Sequence, residues 1–224
     1  MHIPDGLMDP VVLLAGWAIS VPVIAYAVSK VNKTVDEKKM PFMAILAAGI
    51  FVAQMLNFPV GGGTTGHLIG ATLATILLGV YGSVVVMTVI LVIQCLVFGD
   101  GGLTALGLNL LNMAVIAPFV AHFILKIADG KNRPVATFTA SWASVFIAAT
   151  ACAVQLAVSF AVSDGSYGID GIVSIPAMMG WHALIGIGEA IITVGVVSFL
   201  AKIAPEMLKM RLGEARDDGM EVTA

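Results

Sequence analysis

Histidine at the second position of a chain turns the chain's own beginning into a chelator. The free amine of Met1, the backbone amide of His2 and the His2 imidazole put three nitrogens in succession. Closure through Nδ1 fuses a five-membered chelate ring to a six-membered one. The amide must give up its proton, which only a strongly polarising ion promotes; along the affinity series these are nickel and copper, with cobalt weaker. Three coplanar nitrogens leave one in-plane position, and imidazole is the natural fourth ligand. His67 follows Gly61-Gly62-Gly63 and Thr64-Thr65-Gly66, where a backbone stripped of side chains can approach another strand closely. His2 alone is weak evidence for a metal. A second histidine on the same face of the molecule gives it weight.

A second set of chemistry-bearing residues lies inside long apolar runs. These are Gln54, Asn57, Gln94, Asn109, Asn112, His122, Gln155, His182 and Glu189. Any one amide in such a setting is ordinarily glue between helices. An ionisable group there is costly and is kept for a partner or a function. With the helix directions given below, all but His122 and the mid-depth Glu189 fall toward the outer half, which a polar pocket opening outward explains better than scattered glue. His182 and Glu189 are seven apart, on one helix face. Cys95 and Cys152 form no CxxC pair and read as small buried hydrophobes.

These residues must be positioned by membrane helices. The 224 residues are 59% hydrophobic and 11% charged, and the mean hydropathy is +1.01. A soluble domain carries about 25% charged residues, so a water-soluble globule, a disordered chain and a nucleic-acid binder are excluded. No room remains for a soluble catalytic or ATP-binding domain. All eleven Lys and Arg fall in three segments, at 30–39, 126–133 and 202–216. The positive-inside rule puts all three in the cytoplasm, so an odd number of crossings precedes Lys30 and the N-terminus is outside. The fold expected is all-α, with seven transmembrane helices at 11–29, 41–56, 67–80, 84–98, 109–126, 136–162 and 176–201. A tight inner turn at Gly79–Ser83 separates the third from the fourth, and the third is short for a full span of about 20 residues. No internal repeat is evident. The organisation is thus a metal-binding segment at 1–10, a transmembrane domain at 11–203 and a charged cytoplasmic tail at 204–224. No Lys or Arg precedes Lys30, so a cleaved signal peptide is not expected and the Met1 amine should be free. Four outer segments carry Asp5, Asp9, Asp100, Asp164 and Asp170 without a basic side chain, a surface that concentrates cations.

MHIPDG at the start, NFPVGGGTTGHLIG at 57–70, FGDGG with the following LGLNLLNM at 98–113, and WHALIGIGEAIIT at 181–193 resemble one known family. It is the substrate-capture component of cobalt and nickel energy-coupling-factor transporters, the CbiM/NikM type, and the likeness runs through residues 1–200. The resemblance implies seven helices with an outward N-terminus threaded into the helix core. It implies an ion held by the amine and amide nitrogens of Met1 and His2, the His2 ring and His67. Asn57, Gln94, Asp100, Asn109, His182 and Glu189 are expected around those ligands. The resemblance also implies partners: a transmembrane coupling subunit, cytoplasmic ATPase subunits and a small two-helix accessory membrane subunit, here a separate chain. No cofactor and no chemistry on a substrate are expected; Ni²⁺ or Co²⁺ is cargo, and the location is the cytoplasmic membrane. The competing reading is a self-sufficient cation/proton permease with Glu189, His182 and His122 as a relay. An intramembrane protease lacks HExxH and GxSxG motifs.

Overall fold

The structure is a computed structural model, and it describes residues 1–35, 39–60, 64–128 and 132–209. Its helices are α1 (Pro10–Val31), α2 (Lys39–Met55), α3 (Ala71–Phe98), α4 (Leu106–Asn109), α5 (Ala117–Ile127), α6 (Arg133–Val162) and α7 (Gly171–Ile203). A π-helical stretch, Leu110–Ile116, joins α4 to α5, and a 3-10 turn, Pro205–Lys209, follows α7. Two three-residue strands, β1 (Phe58–Val60) and β2 (Thr64–Gly66), pair antiparallel, with Phe58 opposite Gly66. Five spans are long and apolar enough to cross a membrane: α1, α3, the continuous run Leu106–Ile127, α6 and α7. α2 is apolar but 17 residues long.

α3 occupies the centre and packs against α1, α2, α5, α6 and α7. It is two helices meeting at Gly79, whose φ of 75° and ψ of 171° are open only to glycine. Ser83 Oγ donates to the carbonyl of Ala71 at 3.0 Å. Twelve residues of straight helix span about 18 Å, so the chain folds back at Gly79. The turn expected over Gly79–Ser83 is made by this one residue.

Several boundaries differ from the sequence expectation for identifiable reasons. Helix was expected from residue 67, yet His67–Gly70 are extended and the helix begins at Ala71. α6 begins at Arg133 rather than 136, because the Asn132 side chain accepts from the Val135 N–H. α7 begins at Gly171 rather than 176, because Asp170 caps it through the Ile172 N–H; Pro176 lies inside the helix and does not open it. Pro118 cannot donate to the carbonyl of Ala114. The turns before it widen, and the Ala117 N–H reaches the carbonyl of Asn112. The start of the expected tail folds back, with Leu208 buried in the core. Residues 210–224 lie outside the described residues, as does the glycine run 61–63.

Gly79→Val should destabilise the protein by about 1–3 kcal/mol, since a β-branched residue is forced into backbone space reserved for glycine. A lowered thermal unfolding midpoint in detergent, followed by circular dichroism, is the expected result.

Candidate metal centre

The first nine residues form no helix and are held by partners from four distant parts of the chain. Met1, Ile3 and Met8 are buried among apolar side chains. The Asn109 side chain closes on the Ile3 backbone like a second strand: its Oδ1 accepts from the Ile3 N–H at 2.8 Å, and its Nδ2 donates to the Ile3 carbonyl at 3.1 Å. The Gly102 N–H donates to the same carbonyl at 2.8 Å. Further along, the Gly168 N–H donates to the Leu7 carbonyl, and the Asp9 N–H donates to Ser159 Oγ. Gly102 permits this docking, because a Cβ there would lie 2.3 Å from the Asp5 backbone nitrogen.

The acids expected to form a cation-attracting surface are mostly engaged as caps. Asp5 accepts from the N–H groups of Leu103 and Thr104 and from the Thr104 hydroxyl, bonds that hold its carboxyl below the usual range, the Thr104 side chain foremost. Asp9 accepts from Val11 N–H and Asp170 from Ile172 N–H. Asp100 alone of the five points at the histidines.

At the centre of the docked segment the Met1 amine lies 3.2 Å from His67 Nε2. His67 Nδ1 lies 2.8 Å from the carbonyl of Leu68, which only accepts, so Nδ1 carries the proton and donates. The Nε2 lone pair therefore faces the amine. The His2 and His67 rings meet edge to face with centroids 4.9 Å apart. His2 Nδ1 donates to Asp100, lying 3.3 Å from its carbonyl oxygen and 3.2 Å from its carboxylate Oδ1. His2 Nε2 is buried and has no hydrogen-bond partner among the described residues. Here the structure departs from the expectation that Nδ1 is free to close a chelate ring: Asp100 offers it two acceptors.

Burial drives this cluster toward its neutral, lone-pair-bearing form. The Met1 amine is pushed below its ordinary value of 8.0 by burial. His2 is lowered to about 3 and His67 well below 6.5, in each case by burial first and the adjacent amine second. Burial raises the Asp100 carboxyl, partly offset by the amine. Among the described residues no three His, Cys, Asp or Glu side chains converge on a common point.

Residues 2–207 match the family described as the cobalt uptake substrate-specific transmembrane region, CbiM. The chain belongs to the CbiM family. A chain of Archaeoglobus fulgidus that carries the name of a fused nickel transport protein, NikMN, is 40% identical over 211 residues, 94% of this chain and 69% of that one. The cobalt transport protein CbiM of Acetoanaerobium sticklandii is 34% identical over 212 residues, 92% of this chain and 86% of that one. A crystal structure of a transition metal transporter superposes with a TM-score of 0.87 at 40% identity, covering 94% of this chain and 96% of that one. This CbiM-family chain is a multi-pass membrane protein and a cobalt/nickel transport component.

In this CbiM-family chain the other expected site residues divide into three groups. Asp100 and Asn109 touch the docked segment directly, as described. Gln94 and Glu189 act on the chain just after His67: Gln94 Nε2 donates to Gln54 Oε1, Gln54 Nε2 donates to the Ile69 carbonyl, and Glu189 accepts from the Ile69 and Gly70 N–H groups. His182 and Asn57 make no described hydrogen bond to either part, though His182 lies close enough to the Met1 amine and His67 to interact with them electrostatically. His182 is buried on α7 and its Nδ1 donates to the Met178 carbonyl. Asn57 is exposed, because α2 has ended at Met55 and the chain is leaving for β1. Asn112 and Gln155 exchange amide bonds at 2.8 and 2.7 Å, tying the π-helical stretch to α6. No described hydrogen bond links Glu189 to His182, the first step of the relay in the competing permease reading. Nothing in the local pattern of Ser159 marks it, and Gly102, although within the FGDGG motif, carries no role that the sequence alone assigns.

Asn109→Ala removes both bonds to Ile3 and leaves a buried N–H unpaired. The N-terminal segment should then undock part of the time, seen as faster acylation of the Met1 amine in peptide mass spectra. Acid should also loosen the segment. Its amine and two imidazoles bind protons more weakly folded than unfolded, so the stability they contribute is complete above about pH 8 and falls as pH drops through the unfolded values near 8.0 and 6.5. The unfolding midpoint in detergent should decline from pH 8 to pH 5, and decline less in His67→Ala.

Proposed function

We propose that this CbiM-family chain captures Ni²⁺ or Co²⁺ from outside the cell through four nitrogens: the Met1 amine, the His2 amide, His2 Nδ1 and His67 Nε2. The observation that carries the reading is the buried Met1 amine facing the bare Nε2 of a histidine whose other nitrogen is fixed. Two buried nitrogens from chain positions far apart converge, and burial favours the proton-free form of each. Closure of the chelate asks His2 to turn half a revolution about Cβ–Cγ. That frees Nδ1 from Asp100 and swings Nε2 to the side where the carboxylate can accept from it, the usual way a carboxylate orients a ligating imidazole. Gln94, Asp100, Asn109, His182 and Glu189 hold this arrangement from behind. A planar four-nitrogen field suits low-spin nickel, and cobalt accepts it as well.

In this reading the chain crosses the cytoplasmic membrane seven times, with its N-terminus outside and its tail inside, the reversal at Gly79 separating the third helix from the fourth. It works with a transmembrane coupling subunit, ATPase subunits that supply the energy and a two-helix accessory subunit. Hydrolysis in those partners drives inward release by moving the helical unit relative to the membrane, and the chain itself transforms no substrate.

Titration calorimetry with Ni²⁺ and Co²⁺ tests the ligand set. One residue added before Met1 should abolish tight binding, and so should His2→Ala; His67→Ala should weaken it by at least an order of magnitude. Normal binding by the extended chain removes the amine from the site. Affinity should also fall as pH is lowered from 8 to 5, about tenfold per pH unit for each proton released. A flat profile contradicts the deprotonated amide.

A further inference from the structure

Glu189 sits in the middle of α7, 1% exposed, and among the described residues no basic side chain pairs with it. Both its oxygens are used on backbone 119–120 residues away. Oε2 accepts from the Ile69 N–H at 2.7 Å, and Oε1 accepts from the Gly70 N–H at 2.9 Å. The first of these bonds has a particular consequence. The Ile69 N–H and the Leu68 carbonyl belong to one planar peptide group, and that carbonyl accepts from His67 Nδ1–H at 2.8 Å. A carboxylate, a peptide plane and an imidazole therefore stand in one line, ending at the Nε2 that faces the Met1 amine.

We propose that Glu189 is a positioning residue for metal capture: through the Leu68–Ile69 peptide it fixes the tautomer and orientation of His67 and ties that ligand to α7. The proposal rests on the reading of His67 as a ligand. Three physical effects support it. The negative charge accepting from Ile69 N–H polarises the peptide, strengthening the acceptor at the Leu68 oxygen and making Nε2 a better donor to an ion. Gln54 Nε2 holds the Ile69 carbonyl at 2.6 Å, so the adjoining peptide is clamped as well and the plane cannot rotate freely. On the far side of the segment, Leu68, Gly70 and Glu189 border an apolar cavity of about 360 Å³ between α2, α3 and α7. The segment is thus backed by open space and kept from it by the carboxylate. Loss of the Glu189 carboxylate would leave two N–H groups unpaired and free the Leu68–Ile69 peptide to rotate.

The test is a double-mutant cycle with Ni²⁺ as probe, on the full chain in detergent, with the unfolding midpoint recorded for every variant. Glu189→Gln keeps the shape but loses the charge and one acceptor. Its Ni²⁺ affinity should fall about 10–100-fold, and its visible d–d spectrum should move toward that of His67→Ala. In the His67→Ala background the same substitution should cost nothing further. Wild-type affinity in Glu189→Gln, or an equal loss in both backgrounds, overturns the proposal. Should Glu189→Gln fail to fold, Glu189→Asp replaces it in the same cycle; the shorter carboxylate should weaken binding several-fold only where His67 is present, and any other pattern is again decisive against. Wild-type binding by His67→Ala alone would instead remove the ligand reading on which the proposal stands.

Discussion

The arrangement depends on a primary amine buried inside a bundle of membrane helices, where loss of solvation lowers its affinity for a proton. An isolated ammonium in such a place is severely penalised by lost solvation. The amine of Met1 is tolerated because burial lowers its proton affinity and because a bare imidazole nitrogen lies within hydrogen-bond reach. Much of the surrounding structure serves that placement. Asn109 and Gly102 fix the backbone at Ile3, Asp5 locks the 103–104 turn that carries them, and Ser159 and Gly168 anchor the segment's far end. The bonds at Ile3 satisfy backbone groups that would otherwise be buried unpaired, so undocking there strands polar groups away from water.

The helices that build the socket divide by how they are held. α6 and α7 are packed along their length, with Trp142 Nε1 donating to the Ala183 carbonyl across them. α2 packs chiefly on α3 and is joined to the centre through Gln54. Between α2 and α7 lies the apolar cavity behind the His67 segment. The His67 segment therefore lies where the α6–α7 wall and the less extensively packed α2 face each other.

Much of this was legible in the sequence, for reasons that can be traced. His2 and His67 were readable as a pair because a terminal amine, an amide and an imidazole have a chelate geometry independent of fold. The long apolar runs were readable because lipid admits little but helices. The starts of α6 and α7 were misplaced because Pro176 and the apolar onset near 136 outweighed the short polar signals of Asp170 and Asn132, which in fact begin those helices. The extended stretch 67–70 was taken as helix because its apolar residues do not announce that a carboxylate 120 positions away will claim the Ile69 N–H. Asn57, expected around the ligands, is exposed just past the end of α2 and makes no described hydrogen bond to them. Asp5, Asp9 and Asp170 were read collectively as a charged surface, while each satisfies specific backbone donors.

In the proposed reading the centre would be built half from side chains and half from the polypeptide itself, and this would limit how inheritance can reshape it. A genetic substitution can delete an imidazole or replace it with sulfur or oxygen, but it cannot exchange the terminal nitrogen or the first peptide nitrogen for another element. Variation in the kind of ion admitted must then come from the walls: how flat the pocket holds its donors, and how far above and below that plane another atom can approach. In this molecule Gly101 and Asn109 border His2, and they are where divergence in cargo would be written.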